Sequence, residues 1–420
     1  MVQEIRRAPG RWGGTDFLDG WRGIAAVMVA VGHARYLVAA NYHEGLSAHP
    51  GDYSEVGRLA FWLFTPFRFG YQWVLFFFIL SGFVIHLRYA EKLHGESLGP
   101  RLRGSSVKFG WRQFVWRRFR RLYPPLLLAI AVTYLLDKAG TTPGVPGYYG
   151  SAAMQASLAH FRPVHTLGTL LGNLTFTMRC YTHCWGSDGP LWSLHFEWWF
   201  YMFYPLFFWL CRKKMGLDSL AIAVLFALSF LPHPFWARLP FQIFQAMVIW
   251  WLGALLAEVY VGRIRLGMGW LAPLVFLLPL MAAISALNKL RLLPGKLPGV
   301  AGGVLWTLGF IGLLAACFWW QGRGRRLTPL LKLKWVGEMS YTLYVTHFPI
   351  ILFLGGWLLW YTHGRAPPRT EVFVLPAVAV AFGFAYLAHF LVERPFLAVA
   401  RKAPLPRPVA AAVKAEARGG

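Results

Sequence analysis

Acidic side chains are scarce in this chain of 420 residues: 17 Asp and Glu stand against 42 Lys and Arg. All charged residues together make up only 14% of it. Soluble domains carry roughly 25%, so a single water-facing domain around one core is excluded. Cysteine is equally thin, with four in the chain. Cys211 and Cys317 lie in or beside apolar runs, while Cys180 and Cys184 flank Tyr181-Thr182-His183. There is no CxxC pair and no zinc spacing, and no metal is expected. On an oxidising side, Cys180 and Cys184 could close a small disulfide loop. No internal repeat of fixed period is present. Paired inverted repeats with broken helices would mark a transporter, so a transporter or flippase for a glycan or small molecule is only the second reading.

What is abundant is apolar and aromatic: 57% of residues are hydrophobic and 17% aromatic, with 21 Trp and 34 Phe. Indole and phenol rings are favoured where helix ends meet lipid headgroups. The formal charge of +25 does not indicate nucleic acid, because the basic residues fall in short loops between apolar runs. A spanning helix needs about 20 apolar residues. The chain offers ten candidates: Leu18–Ala40, Tyr71–Leu87, Leu122–Leu136, Leu191–Cys211, Leu217–Leu231, Phe241–Val261, Trp270–Leu287, Val300–Trp320, Val336–Tyr361 and Val372–Val392. With the N-terminus inside, the cytoplasmic segments hold 29 of the 42 Lys and Arg. This bias puts both termini in the cytoplasm. The expected fold is therefore an all-α, polytopic protein of the plasma (inner) membrane. Residues 1–16 form a cytoplasmic tail leading into an uncleaved signal-anchor. Residues 17–396 form the membrane domain, and residues 397–420 a disordered cytoplasmic tail. Two regions do not span. Lys108 to Leu122 reads as a basic interfacial helix, and residues 137–189 form a long outer loop of the length that usually carries function.

Polar residues inside the spans are costly and tend to face a partner or a wet cavity. Arg22 and His33 share the first span, eleven positions and about 16 Å apart along its axis. Arg22 has a second reading as an arginine snorkelling to phosphates, and His33 as a hydrogen-bonded core histidine. Glu197, enclosed by Phe196, Trp198, Trp199 and Phe200, must be paired, solvated or protonated. Depth arithmetic puts both His33 and Glu197 several ångströms under the outer surface, so the two are expected to meet as a base and its orienting carboxylate. Tyr341, Tyr344 and His347 share one helical face and suggest a cavity lining or interhelical hydrogen bonds. Ser81 and Gly82 suit close helix packing. Glu393-Arg394 reads as a structural ion pair. The Arg112 to Arg121 cluster suits an anionic ligand or anionic lipid.

Six segments together resemble the acyltransferase-three family of integral membrane acyltransferases. They are Leu18-Asp-Gly-Trp-Arg22-Gly with His33; Phe77-Phe-Ile-Leu-Ser81-Gly82-Phe83; Arg118-Phe-Arg-Arg121-Leu-Tyr-Pro124; Leu191-Trp192-Ser193-Leu-His-Phe-Glu197 with Phe200-Tyr201; Ser340-Tyr341-Thr-Leu-Tyr344-Val-Thr-His347; and Glu393-Arg-Pro-Phe396. The resemblance covers residues 17 to 396. It departs from the family where Trp198 and Trp199 follow the glutamate and where His195 stands at a position that is usually small. It implies an acyl-CoA donor, usually acetyl-CoA, reached from the cytoplasm. Arg22, Arg118 and Arg121 would hold the donor, and His33 would be catalytic with Glu197 assisting. Ser81, Trp192, Ser193, Tyr341, Tyr344 and His347 would line the substrate cavity. The acceptor would be a hydroxyl on an extracytoplasmic glycan or lipid-linked saccharide. Membrane lipid would be a partner, nucleic acid would not, and a homo-oligomer is left open.

Overall fold

The structure is a computed structural model that describes residues 13–97, 109–142, 163–213, 216–234, 237–289, 299–361 and 367–396. It is 80% helical with no strand among the described residues. Both expected tails, most of residues 1–16 and all of 397–420, lie outside the described residues.

The long helices are α1 (Leu18–Val38), α3 (Gly70–Ser97), α4 (Trp111–Thr141), α6 (Trp192–Lys213), α8 (Arg238–Val261), α9 (Leu271–Lys289), α10 (Gly299–Gly322), α13 (Ser340–Tyr361) and α14 (Val374–Ala388). Shorter pieces join them: α2 (Glu55–Phe64), α5 (Leu167–Leu174), α7 (Leu217–Leu228), α11 (Thr328–Lys332) and α12 (Lys334–Glu338). Among the described residues, seven helical stretches are long and apolar enough to cross a membrane: Glu55–Glu91, Trp111–Thr141, Arg238–Val261, Met268–Asn288, Ala301–Gly322, Ser340–Tyr361 and Val374–Phe396. Three of the ten expected spans fall outside that set. Helices α1 and α6 have the length, 21 and 22 residues, but carry Asp19, Arg22, His33 and Arg35 in one and His195 and Glu197 in the other. Helix α7 has only 12 residues. The basic stretch before Leu122 and the apolar stretch after it form one helix, α4, which runs through Pro124 and Pro125.

Helix α13 is the most enclosed, with 83% of its apolar window buried, whereas the stretch containing α9 has 6%. So α13 is central and α9 peripheral. Helix α1 packs along both α13 and α12, and α3 packs along α8. Small residues make these approaches possible. A Cβ on Gly82 would sit 2.0 Å from the Trp250 carbonyl oxygen, and one on Gly253 would sit 2.2 Å from that of Ile79. Gly20 and Gly337 play the same part between α1 and the α11–α12 turns: a Cβ on either would strike the backbone of Leu330 or Asp19. Glycine at such crossings lets backbones touch where lipid supplies no hydrophobic drive between helices. Around these contacts Phe76, Phe83, Phe200, Tyr204, Phe207, Phe208 and Trp250 are fully buried. The aromatic excess therefore fills much of the interior.

Candidate functional site

Helix α6 carries Ser193, Glu197 and Tyr201 at four-residue spacing, and α13 carries Tyr341, Tyr344 and His347 at three-residue spacing. Each set forms one stripe on its helix. The stripes face each other in opposite directions. Ser193 Oγ lies 2.7 Å from the Tyr344 hydroxyl. One turn further along α6 the Glu197 carboxylate lies within electrostatic range of Tyr341. The pairing is fixed at its ends. Tyr344 donates to the carbonyl of Pro190 at 3.2 Å, and Tyr341 to that of Leu122 on α4 at 3.1 Å. All four of Ser193, Tyr341, Tyr344 and His347 are buried.

At one end of this column His33 meets His347. Their rings stack at 5.1 Å with 18° between planes, and His33 Nδ1 lies 2.8 Å from His347 Nε2. Hydrogen-bond accounting assigns the protons. His347 Nδ1 lies 2.7 Å from the Tyr344 carbonyl and 3.0 Å from that of Leu343. A carbonyl only accepts, so Nδ1 must carry the hydrogen of the neutral ring. His347 Nε2 is then a lone pair, and His33 Nδ1–H must donate to it. His33 Nε2 is left bare, the state a general base requires. One residue of α13 thus fixes the tautomer of the imidazole on α1.

At the other end the charges gather. Arg22 pairs with Asp19 at 3.3 Å and lies in electrostatic range of Arg121, Glu393 and Glu197. Arg121 is in range of Tyr201, Glu197, Glu393 and Tyr341. The Arg118 guanidinium sits 5.5 Å from the Phe114 ring and 5.4 Å from the Tyr201 ring. Its Nε is buried with no hydrogen-bond partner in the chain. Tyr201 donates a hydrogen bond to Glu197. The Tyr201 hydroxyl also lies 3.1 Å from Ser81 Oγ, which accepts from Trp250 Nε1 at 3.3 Å.

The structure therefore joins most of the residues expected from sequence, with two changes. His33 hydrogen-bonds His347, and Glu197 hydrogen-bonds Tyr201, so the imidazole and the carboxylate do not orient each other. The antiparallel register explains this: Ser193, not Glu197, stands opposite Tyr344, and Glu197 falls at the level of Tyr341 and the arginines. Glu393 is likewise not paired with Arg394. Its carboxylate accepts from Thr342 Oγ1 at 2.6 Å and from the Thr342 amide at 3.3 Å, and lies 3.1 Å from His389 Nδ1. It thereby caps the start of α13, while Arg394 lies 5.3 Å from the Phe390 ring. Trp192 stands at the edge of the column, stacked on Tyr71 at 5.8 Å with the Arg179 guanidinium 5.6 Å from its ring.

Other polar groups were not singled out from sequence. His86 Nε2 lies 2.5 Å from Glu258 Oε1, and Arg263 donates to both Glu258 oxygens at 2.8 and 2.9 Å. His86, Cys211 and Glu258 bring one ligand atom each within 4.8 Å of one another. The Arg263 cation already neutralises the carboxylate, so the group fits a satisfied ion network better than a metal. A glutamate inside an apolar run, five residues before an arginine, was the available signal. Cys180 and Cys184 are free thiols. Cys180 Sγ donates to Gln242 Oε1 at 3.3 Å and Cys184 Sγ to the Gly189 carbonyl at 3.3 Å. Burial pushes the Cys184 thiol up to about 12.

The chain thus holds a column of buried hydroxyls and imidazoles leading from a cationic cluster, inside a bundle of long apolar helices. Its family follows from the sequence match. The acyltransferase-three family model, described as an acyltransferase domain, matches residues 15–390, and the chain belongs to that family. It is a membrane acyltransferase. No curated protein and no solved structure gives a significant match.

Proposed function

We propose that this enzyme moves an acyl group, expected to be acetyl, from an acyl-CoA to a hydroxyl of an extracytoplasmic glycan or glycoconjugate. It would do so within the plasma (inner) membrane, with both termini in the cytoplasm. The reading is carried by the continuity of the column, which is cationic at one end, basic at the other and lined by hydroxyls between. Arg22, Arg118 and Arg121 would bind the donor phosphates. Guanidinium forks match phosphate oxygens, and the unpartnered Nε of Arg118 fits an anionic ligand. Glu197, Tyr201 and Glu393 hold these arginines in place and limit their mutual repulsion. Glu197 is thus a positioning residue, acting through Tyr201 and the guanidinium groups. His33 lies about 16 Å further along α1 than Arg22, a span that the extended arm of a CoA thioester can follow.

His33 Nε2 takes the proton from the acceptor hydroxyl as its oxygen attacks the thioester carbonyl, then returns it to the departing sulfur. A carbon–oxygen bond forms, a carbon–sulfur bond breaks and the proton ends on the free thiol, so no other reactant is required. His347 keeps Nε2 in its basic tautomer throughout, the part that a carboxylate plays in hydrolase triads. To test this, thiol release from acetyl-CoA and ester formation on extracted surface polysaccharide are measured with purified protein. His33→Ala abolishes transfer while the protein remains inserted and folded. Glu197→Gln chiefly raises the KM for the donor. Full transfer by His33→Ala rejects the assignment, and absence of thiol release from the unaltered protein rejects acyl transfer itself.

A further inference from the structure

Asp188 lies in the loop ahead of the 3-10 turn Gly189–Leu191 that leads into α6. It is fully buried, yet neither of its carboxyl oxygens has a hydrogen-bond partner. Buried polar groups are almost always partnered, yet several donors of this region are engaged elsewhere. Cys184 Sγ donates to the Gly189 carbonyl. The Tyr344 hydroxyl is engaged by Pro190 and Ser193, and Ser193 also donates to the Pro190 carbonyl at 3.3 Å. The Ser187 amide donates to Asp137 Oδ2 at 2.9 Å, which also lies 3.1 Å from His165 Nε2.

The loop around it is built to stay in this shape. Gly186 has φ +54, and a Cβ there would lie 2.2 Å from Asp137 Oδ2, 2.7 Å from His165 Nε2 and 2.8 Å from Thr133 Cγ2. Two further hydroxyls of this loop and the helix beside it, Ser187 Oγ and Thr133 Oγ1, are also buried without a partner. Asp188 is in electrostatic range of Tyr344 and Cys184. It therefore lies near Tyr344, which is one helical turn from His347 on α13. Burial, then the charge of Asp137, raises the Asp188 carboxyl well above the usual carboxylate range. A carboxyl accepts through both oxygens, and the flanking hydroxyls donate and accept. That set has no cation to hold an anion. It also has no three ligating groups close enough for a shared metal ion, since the described residues contain such a group only at His86, Cys211 and Glu258. Its match is a neutral compound carrying several hydroxyls.

We propose that Asp188, with Ser187 and Thr133, binds the acceptor through hydroxyls next to the one acylated, and so presents that hydroxyl to His33. The inference rests on the acyl-transfer reading above and names the part of the chain that selects the acceptor. The test compares Asp188→Asn and Ser187→Ala with the unaltered full-length protein. Polysaccharide extracted from cells lacking this protein serves as acceptor and acetyl-CoA as donor. Asp188→Asn raises the KM for polysaccharide roughly tenfold, the effect expected for one lost hydrogen bond, and Ser187→Ala raises it less. The KM for acetyl-CoA and thermal stability stay at the level of the unaltered protein in both. An unchanged polysaccharide KM in Asp188→Asn, with the unaltered protein active, overturns this inference and leaves the acyl-transfer reading intact. Activity lost on chelation and restored by Ca²⁺ overturns it in favour of a cation site. Failure of the unaltered protein to release thiol counts against acyl transfer instead.

Discussion

At the scale of single residues, His347 exerts its effect through His33. Its Nδ1–H is committed to two carbonyls of its own helix, so its Nε2 can only accept, and His33 is held with the opposite nitrogen bare. His347→Ala removes that constraint without touching the reacting atoms. We expect kcat to fall roughly 100-fold, within the range lost when general-base chemistry is impaired, while the KM for acetyl-CoA is unchanged. His347→Gln, whose amide can still accept from His33, should restore part of the rate. Equal loss in both variants would point to a packing role only. Reading the sequence set His33 beside Glu197 from their depth and gave His347 as a cavity lining or an interhelical hydrogen bond from its spacing. It could not pair them, because Tyr344 and His347 are equally compatible with facing α1 until the rotation of α13 is known.

At the scale of elements, contacts between backbones set the geometry that side chains then use. Gly82 of α3 and Gly253 of α8 bring those helices close enough that a methyl group at either would strike a carbonyl oxygen. Ser81, next to Gly82, is thereby held against Trp250 and Tyr201, which ties Glu197 to this crossing. Gly82→Ala should destabilise the protein by about 1–3 kcal/mol, the usual cost of overpacking, seen as a lower unfolding temperature in detergent. It should weaken donor binding as the Tyr201–Glu197 pair shifts. Gly303→Ala is the control, since a Cβ there meets only side-chain methyl groups at 3.5 Å and beyond, and should be neutral. The apolar run in sequence marked α3 as a helix. The partner it would touch was hidden, because any small residue could have met any other.

At the scale of the whole molecule, the segregation of charge gives the protein a direction. The basic residues fall mainly in the segments expected inside, and the arginines of α1 and α4 lie at the same end of the column as Glu197 and Glu393. A donor entering from the cytoplasm would meet the cations first and the imidazole pair last. Single-cysteine labelling checks this. Arg265→Cys should react with an impermeant maleimide only when the cytoplasmic face is open, and Glu44→Cys only from outside. The reverse pattern would invert the orientation and the direction of transfer with it. Cys180, Cys211 and Cys317 are buried, and Cys184, which is only partly buried, is replaced by Ser to keep the background low.

Composition and the pattern of apolar runs were enough to determine the solvent this chain folds in and its helical class, and short motifs in order pointed to its family. Each of these depends on properties summed along the chain: transfer of apolar stretches from water, exclusion of unpaired backbone from lipid, and short motifs read in order. The list of polar residues inside the bundle was legible for the same reason, since a charge or imidazole in an apolar run stands out locally. Their partners were not. Which groups meet depends on helix rotation and register, and these are set by packing between segments far apart in sequence. Only the fold decided that His33 belongs to His347, that Glu197 belongs to Tyr201 and the arginines, and that Asp188 is left in the interior with two oxygens unclaimed.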